Sequence, residues 1–386
     1  MIKVGFVLSM DSSWQGGINY FKNLFNAIYQ LPNRQLDLII FIGSKNFQLL
    51  TEELPQVRVV VSSAFDRYSV LWWIRKFFQK IFYKDPILWF FIRKYQINVL
   101  SHFNESALFS STPIISWIPD FQHIHLPNLF TNKAIKARNK LFKFLIKYSK
   151  TVILSSHTAK SDLIKFMPLY DKKVKVLQFC INPKIKNKES TTLLELQKCY
   201  KFQGNYFFLP NQFWAHKNHQ VVIDALALAV NKNKDIQVIC TGNTKDCRQP
   251  EHFELIQNQV LALGIEKNFK ILGLVPYKDL IALMKYSVAV INPSHFEGWS
   301  TTVEESKLLE KTILLSKIPV HEEQNPKNAI YFDVNDSQIL SNYFLDLSLS
   351  ERENINTNQE DTAYYQKLFV EFGDTYQQIV IDSIQR

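Results

Sequence analysis

Glycine is scarce in this chain of 386 residues: only 10 occur, against a usual share of roughly 7%. An adjacent pair such as Gly16-Gly17 therefore stands out. Cysteine is scarcer still, with Cys180, Cys199, Cys240 and Cys247 as the whole complement. Their spacing fits no metal site and their density fits no disulfide framework, so a reduced, cytosolic compartment is expected. No stretch approaches ~20 uninterrupted apolar residues, which excludes a membrane-spanning helix. The run Ile2–Leu8 is strand-like and lacks the long apolar core of a signal peptide. Neither half contains an Asp-x-Asp, and no His/Asp/Glu cluster has metal-ligand spacing. Gly16-Gly17 is not part of a G-x-G-x-x-G fingerprint, so neither a resident metal nor a dinucleotide cofactor is expected.

Acidic residues are few in one half only. Residues 1–182 hold 24 Lys+Arg against 10 Asp+Glu, a net of +14, and the remaining 21 and 25 give −4, which together make the formal +10. A polyanionic partner is thus expected for the first half alone. The bulk, 46% hydrophobic and 21% charged, is that of an ordinary globular protein, and the length points to two domains.

Strand and helix signals alternate along both halves. Ile2–Leu8, Leu36–Ile42, Arg58–Val61, Ile97–Phe103, Ile114–Ile118 and Val152–Ser155 read as strands, with a helix from about Ile18 to Tyr29 after the glycine pair. A polar stretch, Asn182–Glu189, breaks the pattern. Tyr206–Leu209, Ile236–Thr241, Phe269–Leu272, Ser287–Ile291, Thr312–Leu315 and Ile330–Phe332 then form a second series, separated by helical segments near 220–231, 251–263, 279–286 and 301–309. Strands separated by helices imply parallel sheets with right-handed crossovers. The expected organisation is an α/β chain with one domain over 1–182, another over 183–360 and a terminal helix over 361–386.

The segment Asn292–Glu305 carries the most chemistry. Glu297 lies in a loop after an apolar run, and Glu305 lies one turn into a helix that starts near Ser300. A strand, a Gly-containing turn and a Ser/Thr-rich helix start bring backbone N–H groups and the positive helix end to one point, which suits a diphosphate. This E-x7-E pattern, in its strand–loop–helix context, resembles the retaining nucleotide-sugar glycosyltransferases of the GT-B fold, in the large family four. The resemblance implies two Rossmann-like domains facing a central cleft, with the C-terminal helix packing back on the first. It further implies a nucleoside-diphosphate sugar as co-substrate, and Glu305 on the nucleoside ribose. Gly298, Trp299, Ser300 and Thr301 would serve phosphate and sugar, and Glu297 would hold the transferred sugar near the reacting carbon, either as nucleophile or beside a front-face departure.

Three other stretches bear on this reading. The loop Leu209–His219 carries Lys217 where similar enzymes place a lysine on the donor diphosphate, and an ammonium suits the charge that grows on the leaving group. Many such enzymes have an Arg a few positions earlier; here Asn211 and Gln212 stand there, with His216 as a possible second cation. Gly16-Gly17, at the first strand–helix crossover, would let the backbone approach a phosphate or acceptor. Trp117–Pro127 leaves a strand's carboxyl end, where open α/β sheets bind ligands, and Asp120 or His123 could receive the acceptor proton.

Two basic segments point elsewhere. Lys136, Lys140, Lys143, Lys147 and Lys150 recur at helical spacing, and Trp72, Trp73 and their neighbours to Lys84 interleave rings with bases. Both patterns match interfacial helices beside anionic lipid. No nucleic-acid motif accompanies them. The expectation is a cytoplasmic enzyme, peripheral at the membrane, that transfers sugar to a saccharide or lipid-linked saccharide in surface polysaccharide assembly. A nucleotide-sugar epimerase or a non-catalytic, membrane-associated sugar-binding protein are the competing readings.

Overall fold

The computed structural model describes residues 1–8, 15–45, 47, 54, 57–187, 191–349 and 359–385; positions 188 and 189 of the expected junction lie outside them. The chain divides into two units, one comprising Met1–Ile124, Thr131–Asn182 and Ala363–Arg386, the other His125–Phe130 and Pro183–Thr362.

The first unit is a parallel sheet of β1 (Ile2–Leu8), β2 (Leu36–Ile42), β3 (Arg58–Val61), β4 (Val99–Ser101), β5 (Ile114–Ile118), β6 (Thr151–Leu154) and β7 (Val174–Val176). Its order is β3-β2-β1-β4-β5-β6-β7, so the winding reverses between β1 and β4. Helices α1 (Gln15–Tyr29), α2 (Val70–Phe82), α3 (Pro86–Tyr95), α4 (Gln122–His125), α5 (Asn132–Tyr148) and α6 (His157–Phe166) accompany it. The inner strands β2, β4, β5 and β6 are buried on both sides, which is why they read as apolar runs, whereas the edge strand β3 has no buried residue. Ile39, Phe41 and Leu100 pack with Leu88 and Ile92 of α3. Ile118, Val152 and Leu154 pack with Leu145 and Ile146 of α5.

The second unit repeats the plan. Strands β8 (Phe207–Leu209), β9 (Val238–Cys240), β10 (Phe269–Ile271), β11 (Val290–Asn292), β12 (Ile313–Ser316) and β13 (Ala329–Phe332) form a parallel sheet in the order β10-β9-β8-β11-β12-β13. Its helices are α7 (Leu193–Tyr200), α8 (His219–Val230), α9 (His252–Ala262), α10 (Tyr277–Tyr286), α11 (Thr301–Leu308), α12 (Pro319–Gln324) and α13 (Ser337–Ser348). Alternate strand residues face opposite layers: Phe207 and Leu209 pack with α8 and α13, whereas Phe208 packs with Ile281 and Met284 of α10.

The last helix, α14 (Gln359–Gln385), belongs to the first unit from Ala363 onward. Its Tyr376 hydroxyl donates to Ser101 Oγ at 2.7 Å, and Gln377 Oε1 accepts the Gln35 N–H at 2.7 Å. A glycine is required at 373, because a Cβ there would lie 2.7 Å from the Ala27 carbonyl oxygen.

The glycine pair is placed differently from expectation. Helix α1 begins at Gln15, so Gly16 and Gly17 form its first turn rather than preceding it. Apart from its chain neighbours and its own helix backbone, no atom of the described residues lies within 4 Å of where a Gly16 Cβ would stand.

Candidate active site

In the second unit the winding reverses between β8 and β11, and in open α/β sheets the crevice at such a reversal receives the ligand. Both strands stop at the same kind of signal. Leu209 and Asn292 are each followed by proline, which supplies no ladder N–H and hands the chain to a loop. The loop after β8 carries Lys217, and the loop after β11 carries Glu297.

These two side chains meet. Lys217 Nζ donates to Glu297 Oε1 at 2.5 Å, with both side chains largely buried. The same carboxylate oxygen accepts the Ser294 hydroxyl at 2.7 Å. A polar chain braces the loops from beneath: Asn211 Nδ2 donates to Asn292 Oδ1 (3.2 Å), and Asn292 Nδ2 donates to Ser300 Oγ (2.8 Å). Asn211 is 2% exposed, so it acts here as a strut. Gly242, at φ +143°, makes room for it; a Cβ at that position would lie 2.4 Å from the Asn211 carbonyl oxygen.

Ser300 caps α11 by accepting the Val303 N–H, a role serine favours because its oxygen reaches back to the first turn. The N–H groups of Thr301 and Thr302 then have no acceptor within the helix, and Thr301 is partly exposed. Gln324 of α12 fastens the cap, accepting the Ser300 N–H at 3.1 Å and donating to its carbonyl at 3.0 Å. Gly298 and Trp299 are partly exposed in the intervening loop.

Glu305 is 4% exposed and accepts the Tyr277 hydroxyl at 2.8 Å. Burial pushes its carboxyl up to about 7, against the opposing pull of that hydrogen bond. The neighbouring Glu304 is also buried, but it is held by Gln324 (2.9 Å) and Lys307 (3.1 Å).

The surroundings of His216 oppose a positive charge on its ring. Burial first, and the positive charges of Lys217 and Arg248 next, hold its pKa well below the ordinary value. Arg248, from the segment after β9, lies beside it, 5.4 Å over the Trp214 ring, with Nη2 3.4 Å from His216 Nδ1 and Nε paired with Asp246 Oδ1 at 3.2 Å. His321, after β12, is a further neighbour. Its Nδ1 donates to the Ser316 carbonyl at 2.9 Å, its buried Nε2 has no hydrogen-bond partner among the described residues, and burial lowers its pKa to about 4 despite the charge of Glu297. Tyr277, Gln324, Arg248 and His321 escape a reading of the sequence because they lie beyond three different strands, Arg248 after β9, Tyr277 after β10, and His321 and Gln324 after β12. Only the order β10-β9-β8-β11-β12 makes their loops neighbours.

In the first unit, Asp120 Oδ1 accepts the Gln122 N–H at 2.9 Å, a turn that leads into α4. His123 is 1% exposed; its Nε2 lies 2.8 Å from Asn139 Oδ1 and its ring packs edge-on against Phe142. These are the surroundings of a core histidine, and a proton acceptor for a substrate needs access. Among the described residues, no group of three or more His, Cys, Asp or Glu could hold a metal ion.

Comparison with known proteins follows the same lines. The family model for glycosyl transferases group 1 matches residues 201–364, which contain both loops of the site. The O-antigen chain mannosyltransferase RfbU of Salmonella typhimurium is 23% identical over 266 residues, 66% of this chain and 68% of that one. The capsular polysaccharide biosynthesis glycosyltransferase CapH of Staphylococcus aureus is 24% identical over 196 residues, half of each chain. Among solved structures, Anabaena HepE in complex with UDP and glucose superposes with a TM-score of 0.71 at 16% identity, covering 99% of this chain and all of that one. The fold is GT-B, and the family match supports a glycosyltransferase of that type.

Proposed function

We propose that this chain is a retaining glycosyltransferase that moves a sugar from a nucleoside-diphosphate donor to a saccharide or lipid-linked saccharide of surface polysaccharide assembly. The observation that carries the reading is the meeting of Lys217 and Glu297 at the sheet's winding reversal, beside the capped start of α11. The names of RfbU, CapH and HepE support the polysaccharide context and the class of donor.

The chemistry follows from the residues. The first-turn N–H groups of α11 and the Lys217 ammonium would receive the diphosphate and counter the charge that grows on it as the glycosidic bond breaks. The arriving phosphate competes with Glu297 for the ammonium, which frees the carboxylate for the sugar. Glu305 would accept hydroxyl hydrogens from the ribose, and Arg248 would add a second fixed cation. With the leaving group neutralised by protein groups, no metal ion is required.

The test is a screen of uridine, guanosine and thymidine diphosphate sugars by thermal stabilisation and slow hydrolysis, with and without EDTA. One donor class should stabilise the protein and be hydrolysed at the same rate under chelation. No response to any donor would overturn the reading. Activity lost to EDTA and restored by Mn²⁺ would transfer the diphosphate's stabilisation from Lys217 to a metal.

A pH dependence follows from Glu305. With its carboxyl raised to about 7, the donor-free fold favours the protonated form and loses stability as pH rises from the ordinary carboxylate range through that value. The ionised form offers acceptors to both ribose hydroxyls, whereas the protonated form spends one oxygen as a donor. Donor affinity should therefore weaken as pH falls through about 7, and Glu305→Gln should flatten the profile. Titration calorimetry across the neutral range measures this; a wild-type affinity independent of pH would place the ribose elsewhere.

A further inference from the structure

Helix α2 is built inside out. Its buried residues are Arg75 and Gln79, and the polar side is fully engaged. Arg75 Nε donates to Asp85 (2.8 Å), Nη2 to Glu105 (2.7 Å) and Nη1 to the Ala64 carbonyl (3.2 Å). Gln79 donates to both carboxylates. The stripe turned to the outside is apolar: Val70, Trp73, Ile74, Phe77 and Ile81 follow one another at helical spacing, with Val70 76% and Trp73 57% exposed. Helix α3 adds Trp89 and Phe90, each about half exposed.

This surface continues onto α5. Tyr83, just past α2, stacks on Phe144 at 5.2 Å and 14°, and Phe144 lies 4.9 Å from Tyr148. The sequence of α5 contains six Lys or Arg and no acid, and its Lys136, Lys140, Lys143 and Lys147 are all exposed. Around α2 and α3 stand the exposed bases Arg67, Lys80, Lys84, Arg93 and Lys94. Nearby Asp66 and Asp85 are buried and Glu105 is paired with Arg75 and Lys76, and the three helices themselves contain no acid, so the charge that they present is positive.

Exposed rings in such number mark a surface that meets another phase or molecule. A second copy of this chain, docking by the same face, would set lysines against lysines. From this charge and from the ring-and-lysine pattern of interfacial helices, we infer that the face formed by α2, α3 and α5 docks on an anionic lipid bilayer. The rings enter the boundary between headgroups and acyl chains, and the lysines lie over the phosphates. The inference is independent of the donor chemistry in the second unit.

The experiment is co-sedimentation of the full chain with vesicles of phosphatidylcholine alone and of phosphatidylcholine with phosphatidylglycerol. Binding should require the anionic lipid and weaken as salt rises. The triple variant Lys140→Glu/Lys143→Glu/Lys147→Glu should bind roughly 10²-fold more weakly, about a factor of five per lysine. Trp73→Ser/Phe77→Ser should lower binding even at low salt. All these positions are exposed, so circular dichroism and thermal unfolding should match wild type. Absence of binding, equal partitioning onto neutral and anionic vesicles, or unchanged binding in both variants would overturn the inference. So would a dimer that Trp73→Ser/Phe77→Ser dissolves in a protein that ignores vesicles, since the face would then belong to a second copy.

Discussion

Lys217→Ala is expected to lower sugar-transfer turnover by roughly 10²–10³-fold, the usual consequence of removing one group that stabilises charge in a transition state. The loss should fall on kcat more than on KM, because the charge on the leaving diphosphate is largest in the transition state. The fold should persist. Glu297 keeps the Ser294 hydroxyl, and the loop keeps its brace through Asn211 and Asn292. Steady-state kinetics with circular dichroism as control decides the matter, and near-normal transfer by a folded variant would remove Lys217 from the mechanism.

The largest effect on stability is expected from Arg75→Met, at about 3–5 kcal/mol, because the substitution strips the buried Asp85 carboxylate of its counter-charge and leaves Glu105 with Lys76 alone. Arg75 is 1% exposed and the side chain of Asp85 not at all. Glu105 responds as well. Burial pushes its carboxyl up, but the charges of Arg75 and Lys76 outweigh this and leave it below the ordinary value. A depressed carboxylate contributes stability above its unfolded pKa and loses it as pH falls through the folded one, so the wild type should lose its advantage over Arg75→Met in acid. Urea unfolding at neutral and acidic pH measures both effects. A difference below about 1 kcal/mol at neutral pH would reduce the network to the worth of a surface ion pair.

The fold was legible because most of its strands are apolar runs, those inside each sheet being buried on both faces. Strands β1, β2, β3 and β5 have the bounds that their apolar runs suggest, and β8 to β13 lie within one to three residues of theirs. Strand β7 escaped, since Val174–Val176 is short and carries Lys175. The Lys217 and Glu297 loops were visible as residues following strands, but their contact depends on β8 and β11 being adjacent although 80 residues separate the partners. The inverted polarity of α2 was beyond local reading: which stripe faces the sheet is decided by Asp85 and Glu105, and Glu105 lies 30 residues on from Arg75. His123 shows the opposite limit, since a histidine in an aromatic core and one in a cleft share the same local sequence.

Helix α14 has a consequence for biosynthesis. The first unit needs residues near both ends of the chain, with Ala363 and beyond completing what Met1–Asn182 begins, whereas the second unit is contiguous apart from six residues. Domains ordinarily finish in the order in which the ribosome delivers them. Here the nascent second unit can be whole while the first still shows water the Ala27 carbonyl and Ser101 hydroxyl that Gly373 and Tyr376 will cover. A premature stop codon ahead of α14 would therefore damage the part of the protein translated first.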